Sequence, residues 1–353
     1  MSTLLSVRDL HVRFPITRAG DMPWTKPRYL HAVNGVSFDL EPGKTLGVVG
    51  ESGCGKSTLA RGLIQMVPAT GQVNWRGETD LLSLSPRQMK PYRSEIQMVF
   101  QDPLASLNPR MTLGQIIAEP LRTHRPEISA KERRARVAQM MERVGLLPQM
   151  INRYPHEFSG GQCQRIGIAR ALIVEPKLLI CDEPVSALDV SIQAQVIELL
   201  KELQRDLGLA MIFIAHDLSV VKNISDEVMV LYLGRIMEKA PKAQLYDNPQ
   251  HPYTQALLSA VPIPDPVAER AKQIVPMTGD MPSPMNPPSG CVFRGRCPRA
   301  QADCTEVVPE PGRGAHQVAC IHPGPMQENE VAVGRCRPSV GLNPFIITLY
   351  LPP

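Results

Sequence analysis

Residues 45–58 read TLGVVGESGCGKST, and this short stretch decides the fold class. Its first five residues form an apolar run that predicts a buried strand, and a helix is predicted to begin near Lys56. The segment between them, Gly50 to Thr58, matches the pattern G-x-x-x-x-G-K-[ST], which marks a phosphate-binding loop when it joins a strand to a helix. We therefore predict a P-loop nucleoside triphosphatase domain of the α/β class.

Each residue type in this loop has a physical role. The glycines let backbone N–H groups turn inward around phosphate oxygens, and the helix N-terminus adds a positive partial charge. Lys56 is expected to reach the β- and γ-phosphates, and the hydroxyl of Ser57 is expected to bind Mg²⁺. The predicted nucleotide contacts from the loop are Gly50, Ser52, Gly53, Cys54, Gly55, Lys56, Ser57 and Thr58.

A second apolar run, Leu178 to Cys181, ends in the two carboxylates Asp182 and Glu183. Two adjacent carboxylates at the end of a buried strand are costly unless a cation compensates their charge. Asp182 is expected to hold Mg²⁺, and Glu183 is expected to orient or deprotonate the attacking water. The run Leu209 to Ala215 predicts another buried strand, and Gln193 to Arg205 predicts the crossover helix of a parallel sheet.

Charge and hydropathy limit the class of protein. The net charge of +4 over 353 residues is too small for the dense basic face of a nucleic-acid-binding protein. No apolar run approaches the roughly 20 residues that span a bilayer. Met1 to Leu10 lacks the pattern of a signal peptide. We expect a cytoplasmic protein that binds no nucleic acid, with any membrane span supplied by other chains.

Residues 154–162 read YPHEFSGGQ and resemble the signature sequence of ABC ATPases, with Phe158 in place of the usual leucine. Ser159, Gly160 and Gly161 precede a helix predicted to begin near Gln162, so they offer a second anion-binding helix N-terminus. In that family the signature completes the phosphate site of a facing subunit. The resemblance therefore implies a head-to-tail dimer that encloses two ATP molecules.

The resemblance implies further roles. Gln101 resembles the glutamine that contacts Mg²⁺ and the attacking water, so the implied magnesium residues are Ser57, Gln101 and Asp182. His216 resembles the switch histidine that hydrogen-bonds the γ-phosphate. The implied catalytic residues are Glu183, His216 and Gln101. Asp189, which closes Ser186-Ala187-Leu188-Asp189, resembles the residue that meets the partner subunit. Phe14 is the candidate for stacking on adenine, with Tyr29 as the alternative.

Three narrower motifs are similar to the ATPases of oligopeptide and dipeptide importers, in particular to their F-type subunit. They are SLNPR at 106–110, HPYTQALL at 251–258 and RGRCP at 294–298, and the resemblance covers residues 4–323. It implies an ATPase at the cytoplasmic face of the inner membrane, with residues 102–122 as the docking surface. The implied partners are a second ABC ATPase (a second copy or a D-type relative), two membrane permease subunits, and a periplasmic or extracellular peptide-binding protein.

Other functions remain open at this point. Nickel and murein-peptide importers share this type of ATPase. ABC proteins of DNA repair place a long coiled coil between the phosphate loop and the acidic strand. Here only about 130 residues separate Gly50 from Asp182, without sustained heptads. An exporter usually fuses a membrane domain to the ATPase. We therefore favour a subunit of a peptide importer over a non-transport ABC ATPase.

Four cysteines, Cys291, Cys297, Cys304 and Cys320, are spaced C-x5-C-x6-C-x15-C. Four thiolates can hold a [4Fe–4S] cluster or a tetrahedral Zn²⁺ ion. Zinc sites usually contain close C-x2–4-C pairs, which this spacing lacks, and the resemblance implies a [4Fe–4S] cluster of structural role. Zinc and unliganded thiols remain the alternatives, and His316 and His322 are possible substitute ligands.

The predicted organisation has five segments. Residues 4–101 form the first part of the nucleotide-binding core, including an N-terminal antiparallel β subdomain, and residues 166–240 form its second part. Residues 102–165 form a helical subdomain that ends with the signature. Residues 241–323 form a proline-containing extension with the four cysteines, and residues 324–353 form a tail without a clear pattern.

Overall fold

The computed structural model describes residues 3–16, 28–262, 265–272 and 274–325. Most of the predicted loop from Pro15 to Pro27, most of the tail 324–353, and short pieces of the proline-rich segment lie outside the described residues. The strands are β1 Leu5–Ile16, β2 Arg28–Leu40, β3 Thr45–Val49, β4 Thr70–Trp75, β5 Thr79–Asp80, β6 Ile96–Val99, β7 Leu178–Asp182, β8 Ala210–Ile214, β9 Glu227–Tyr232, β10 Arg235–Pro241 and β11 Gln317–Val318.

The helices have the following bounds: α1 Lys56–Leu63, α2 Pro86–Met89, α3 Tyr92–Glu95, α4 Leu113–His124, α5 Ala130–Arg143, α6 Gly160–Leu172, α7 Val190–Leu207, α8 Leu218–Ile224, α9 Lys242–Asp247, α10 Pro252–Ala260 and α11 Pro266–Ala271. Short 3-10 turns occur at Leu81–Ser83, Pro148–Asn152, Pro155–Glu157, Arg294–Arg296 and Ala302–Thr305. Within the described ranges, no helix combines the length and the apolar character that a membrane crossing requires.

The main sheet has the strand order β11-β10-β9-β3-β8-β7-β6. Strands β9, β3, β8, β7 and β6 are parallel, whereas β10 and β11 extend the edge in antiparallel pairing. Every residue of β3, β7 and β8 is buried, because helices cover both faces of a parallel sheet. The predicted strands at Thr45–Val49, Leu178–Cys181 and Leu209–Ala215 and the crossover helix, which is α7, are confirmed.

A second sheet, with the order β2-β1-β4-β5, is antiparallel throughout. Its buried face shares one core with the outer face of the main sheet: Val7 and Val73 pack in the same cluster as Leu59 and Ile180. This sheet places Phe14, near the end of β1, beside the phosphate loop. The α/β fold class, with an antiparallel β subdomain next to a P-loop core, is thereby confirmed.

Helices α4, α5 and α6 form the helical region, and each begins at a capped residue. Thr112, Ser129 and Ser159 accept hydrogen bonds from the backbone N–H three residues on, which satisfies a donor that the first turn leaves free. The signature helix was predicted to begin near Gln162, but it begins at Gly160, because Ser159 and Gln162 form a capping box around the first turn. The predicted boundary between residues 165 and 166 lies inside this helix.

The C-terminal segment, from Lys242 to Pro325, packs against the main sheet. Strand β11 pairs with β10, and the Phe293 ring packs edge-on against Tyr232 of β9 at a centroid distance of 5.3 Å. Tyr253 of α10 and Phe293 are fully buried in the larger of two hydrophobic clusters. The segment therefore orders itself on the nucleotide-binding core, next to the strand end that carries the phosphate loop.

Candidate active site

The phosphate loop runs from the end of β3 to the start of α1, as predicted, and its glycines are required by shape. Gly50 has φ 151°, and a Cβ there would lie 2.2 Å from the carbonyl oxygen of Leu231. Gly55 has φ 106°, and its Cβ would lie 2.2 Å from the carbonyl oxygen of Ala32. Both positions combine positive φ with backbone contact, so no larger residue can hold the loop in this shape.

Lys56 is buried under the loop, with its side chain 4% exposed. Its Nζ donates to the carbonyl oxygens of Gly50 at 2.7 Å and Glu51 at 3.0 Å. The Oε1 atom of Glu183 lies 3.9 Å away. The ammonium group is thus held by neutral carbonyls at the edge of the pocket, where it is available to a phosphate oxygen.

The end of β7 meets the first turn of α1. Ser57 Oγ donates to Asp182 Oδ1 at 2.7 Å. The other oxygen of Asp182, Oδ2, is buried and has no hydrogen-bond partner. Burial raises the pKa of Asp182 above its usual value, and the hydrogen bond from Ser57 offsets only part of this rise. An unpartnered carboxylate oxygen beside a hydroxyl fits the oxygen ligands that Mg²⁺ prefers, so the residues present are suited to that ion.

Glu183 lies at the centre of the polar groups. Gln101 Nε2 donates to its Oε2 at 3.1 Å, and His216 Nδ1 lies 3.9 Å from the same oxygen. Glu183 has φ 46°, a left-handed conformation that is unusual for a residue with a side chain. Its N–H donates to the carbonyl oxygen of Ile214 at 3.0 Å, which fixes the strained backbone. The carboxylate is thereby directed towards Lys56 and Gln101.

One pocket joins these groups. Of the predicted site residues it is lined by Phe14, Ser52, Gly53, Gly55, Lys56, Ser57, Thr58, Gln101 and Glu183. Tyr29, the alternative adenine contact, does not line it and is 43% exposed. The other predicted site residues of this region contact the lining residues without lining the pocket themselves. Lys56 Nζ bonds the Gly50 carbonyl and lies 3.8 Å from Cys54 Sγ. Asp182 bonds Ser57, and His216 lies 3.9 Å from Glu183.

Five predicted nucleotide contacts lie outside this pocket: Ser159, Gly160, Gly161, Gln162 and Asp189. Ser159 and Gly160 are exposed, and so is Asp189 at the start of α7. The next residue, Val190, is 82% exposed, which is high for an apolar side chain. A single chain therefore leaves the signature and the start of α7 open to solvent, away from its own phosphate loop.

Some pocket residues were not singled out from the sequence. Leu233 and Gly234 of the β9–β10 turn and Pro284 of the proline-rich segment also line the pocket. The Gly234 N–H donates to the carbonyl oxygen of Cys54 in the phosphate loop at 2.8 Å. Pro284 carried no sequence signal, because a proline in a segment without periodicity indicates only a turn. Gly234 in the β9–β10 turn has positive φ. A glycine between the two strands was a weak sequence signal for a tight turn at this position.

The four cysteines of the C-terminal segment converge. The Cys291 N–H donates to the Cys304 carbonyl at 2.9 Å, and Cys297 is close enough to interact electrostatically with Cys291, Cys304 and Cys320. All four are free thiols, and burial raises the pKa of Cys297 to about 12. Among the described residues, no three cysteine sulfurs lie within 4.8 Å of one another. The side chains of Asp303, Cys304 and His322 do lie that close together and form a candidate metal-binding group.

The fold and this site define the nucleotide-binding subunit of an ABC transporter. The family model described as "ABC transporter" matches residues 33–186, and the one described as "Oligopeptide/dipeptide transporter, C-terminal region" matches residues 237–304. The chain is 61% identical to the oligopeptide transport ATP-binding proteins OppF of Salmonella typhimurium and of Escherichia coli, over 92% of this chain and 97% of each relative. The chain therefore belongs to the oligopeptide/dipeptide branch of the ABC transporter ATP-binding subunits.

Other comparisons agree with this assignment. The oligopeptide transport ATP-binding protein AppF of Bacillus subtilis is 54% identical over 90% of this chain and 97% of its own. Among solved structures, cbiO1 of Clostridium perfringens, part of an ABC transporter complex, matches with a TM-score of 0.59 at 26% identity, covering 70% of this chain and 92% of its own. The dimeric ATP-binding cassette MJ0796, in a post-hydrolysis state with ADP and Pi, matches with a TM-score of 0.60 at 25% identity, covering 67% of this chain and 98% of its own.

Proposed function

We propose that this chain hydrolyses ATP to drive the import of oligopeptides through separate membrane subunits. The observation that carries the proposal is the convergence of Lys56, the Ser57–Asp182 pair and the Gln101–Glu183 pair at one pocket. These are the groups that phosphoryl transfer to water needs: a cation for the phosphates, oxygen ligands for Mg²⁺, and a carboxylate beside the attacking water. The peptide substrate is inferred from the names of the relatives.

In the proposed mechanism, Lys56 exchanges its loop carbonyls for the β- and γ-phosphate oxygens. Ser57, Asp182 and Gln101 would hold Mg²⁺, which would neutralise charge on the phosphates. Glu183 accepts a proton from the water or orients it, and Gln101 fixes the carboxylate by the 3.1 Å hydrogen bond. His216, 59% exposed and 3.9 Å from Glu183, hydrogen-bonds the γ-phosphate. Phe14 stacks on adenine, since it lines the pocket and Tyr29 does not.

The second half of each site comes from a facing ATPase subunit. At the start of α6, Ser159 offers a hydroxyl, and Gly160 and Gly161 offer backbone N–H groups that the capping box of Ser159 and Gln162 does not use. All four residues lie outside their own chain's pocket. Asp189 and the exposed Val190 belong to the same open face. The facing subunit is a second copy or a D-type relative.

We also retain the five-segment division of the chain as a proposal.

Coupling to transport would use the surface that follows Gln101. Residues 102–122 follow the proposed catalytic glutamine and include most of α4, and Leu104 in this surface is 53% exposed. Two permease subunits dock there, at the cytoplasmic face of the inner membrane, and a peptide-binding protein delivers substrate from the other side. Movement of Gln101 on nucleotide binding would then be transmitted directly to the docked subunits.

The proposal is tested by copurification and peptide uptake. Tagged full-length chain is expected to bring two permease subunits and a second ATPase from detergent-solubilised membranes. Leu104→Asp is expected to lower that association roughly tenfold, because a charge replaces an apolar contact at the docking surface. Val267→Asp is the matched control, since Val267 is 76% exposed on α11 and does not belong to residues 102–122. Isolation without any membrane protein, or oligopeptide uptake that does not require the chain, would contradict the proposal.

We further propose that Cys291, Cys297, Cys304 and Cys320 hold a [4Fe–4S] cluster that orders the C-terminal segment. In a tetrahedral zinc site with Zn–S bonds of about 2.3 Å, sulfur atoms lie about 3.8 Å apart. In a [4Fe–4S] cluster each thiolate binds a different iron, so the four thiols need only surround one site. Cys297 is near enough to the other three thiols to interact with them electrostatically, which supports such a shared site. Within the described part of the chain, Asp303, Cys304 and His322 form a candidate metal-binding group that shares Cys304 with this set.

Cys297→Ala is expected to abolish the visible absorbance of an iron–sulfur cluster and to lower the melting temperature of the full chain, because one of four ligands is lost. Iron and acid-labile sulfide would be measured on protein purified without oxygen. Cys163→Ala is the control, since Cys163 is a buried thiol at the start of α6, outside the four-cysteine set. Anaerobically purified protein that contains zinc or no metal would contradict the cluster.

A further inference from the structure

Glu51, the second residue of the phosphate loop, is bonded on three sides. Its N–H donates to the Tyr253 hydroxyl at 3.0 Å. Its two carboxylate oxygens lie 2.9 and 3.0 Å from Arg296 Nη1. Its carbonyl oxygen accepts the 3.0 Å bond from Lys56. Two of these three partners come from the C-terminal segment, and Arg296 is 245 positions away in the sequence.

Both partners are fixed in position by packing. Tyr253 is fully buried on α10, and the Arg296 side chain is 9% exposed. The guanidinium carbon of Arg296 lies 5.9 Å from the Tyr232 ring centroid, within the range of a cation–π contact. Phe293, on the same turn as Arg296, packs against both tyrosine rings at 5.2 and 5.3 Å. The C-terminal segment therefore presents a rigid hydroxyl and a rigid cation to the loop.

We propose that Arg296 and Tyr253 are positioning residues that act through Glu51 to hold the phosphate loop in its nucleotide-binding shape. This inference rests on the proposed ATP site. A loop that is already ordered binds its ligand more tightly, because less conformational freedom is lost on binding. Since the two residues touch the loop and not the reacting atoms, they affect nucleotide affinity and leave the rate at saturation nearly unchanged.

Charge gives Arg296 a second effect. The Glu51 carboxylate belongs to the loop that would surround a polyanion, and a bare carboxylate there repels the phosphates. Arg296 neutralises it through a charge-assisted, largely buried ion pair. Removing Arg296 alone therefore leaves an unpaired negative charge near the phosphates, whereas removing both charges does not. This difference measures the charge effect of Arg296 by itself, and the loss that remains in the double variant measures its positioning effect.

The test measures binding of a fluorescent MgATP analogue and the KM and kcat for ATP in full-length variants. Arg296→Gln is expected to raise the Kd and KM about tenfold with kcat within about twofold of the wild type. Arg296→Gln combined with Glu51→Gln is expected to recover only the part of that loss that comes from the unpaired charge, because the positioning contact stays broken. Tyr253→Phe, which removes one hydroxyl and keeps the ring, is expected to raise the Kd about threefold. Arg294→Gln is the matched control, since Arg294 lies on the same turn and bonds Ser289 instead of Glu51.

An unchanged Kd in Arg296→Gln, or a double variant that binds as tightly as the wild type although the Arg296–Glu51 contact is gone, would overturn the inference. If Arg296→Gln does not fold, Tyr253→Phe decides in its place, and a wild-type Kd there would also overturn it. Failure of the proposed function can be distinguished from failure of this inference, because the wild-type protein would then show no ATP hydrolysis. Normal hydrolysis and binding in all four variants would remove this inference only.

Discussion

Glu183→Gln is expected to lower the ATP turnover rate roughly 100-fold or more while leaving MgATP binding intact, because general base catalysis contributes about 10²–10⁴-fold. The substitution keeps the size of the side chain and can still accept the hydrogen bond from Gln101, which is 3.1 Å long in the present structure. It removes the negative charge and the proton acceptor. The phosphate contacts through Lys56 and Ser57 do not depend on that charge.

The control for this variant is Glu198→Gln. Glu198 is an exposed residue of α7 that pairs with Lys201 across one turn, and it does not line the pocket. Turnover should be unchanged in that variant. Wild-type turnover in Glu183→Gln would remove Glu183 as the base and would direct attention to His216 and Gln101 as the groups that activate water.

Ser159→Arg is expected to lower turnover to a similar extent by a different route. Ser159 lies outside the pocket of its own chain, so MgATP binding to the single chain should remain close to wild type. The large cation replaces the hydroxyl and covers the start of α6, where the facing subunit's phosphate would bind. Dimer formation, and with it hydrolysis, should be lost.

The control for Ser159→Arg is Ser129→Arg, because both serines cap the N-terminus of a helix. Ser129 is an exposed N-cap whose Oγ accepts from Glu132 N at 3.2 Å, as Ser159 Oγ accepts from Gln162 N at 3.4 Å. Either substitution removes a cap that is worth about 1 kcal/mol of stability. Ser129→Arg should therefore lower stability equally and leave turnover unchanged. Equal loss of turnover in both variants would mean that Ser159 acts only through helix stability.

Local sequence was sufficient for the centre of the fold. Strand β3, the phosphate loop and α1 are contiguous, and the apolar runs at β7 and β8 are long enough to indicate strands buried on both faces. The carboxyl ends of these parallel strands meet at one edge of the sheet. For that reason the order of residues along the chain is enough to place Asp182, Glu183 and His216 near Lys56.

Long-range contacts were not predictable in the same way. Strand β4 shows no clear alternation of buried and exposed residues, because its first three residues are all exposed. Its position is fixed by pairing with β1, about 65 positions earlier in the chain. The motif around Cys297 was recognised, but nothing local indicates that Arg296 contacts Glu51. Such contacts depend on how Tyr253 and Phe293 of the C-terminal segment pack on Tyr232 of β9. Packing of that kind is a property of the assembled core.

The assembly of a composite site can be measured directly by light scattering. Glu183→Gln in saturating MgATP is expected to elute at twice the mass of the chain, or as a stoichiometric pair with its partner ATPase, and as single chains without nucleotide. Adding Ser159→Arg to this variant should abolish ATP-dependent pairing with a second copy while ATP remains bound through Lys56. Persistence of the same pair in the double variant, or ATP-loaded Glu183→Gln that stays single with either partner, would contradict the two-subunit site.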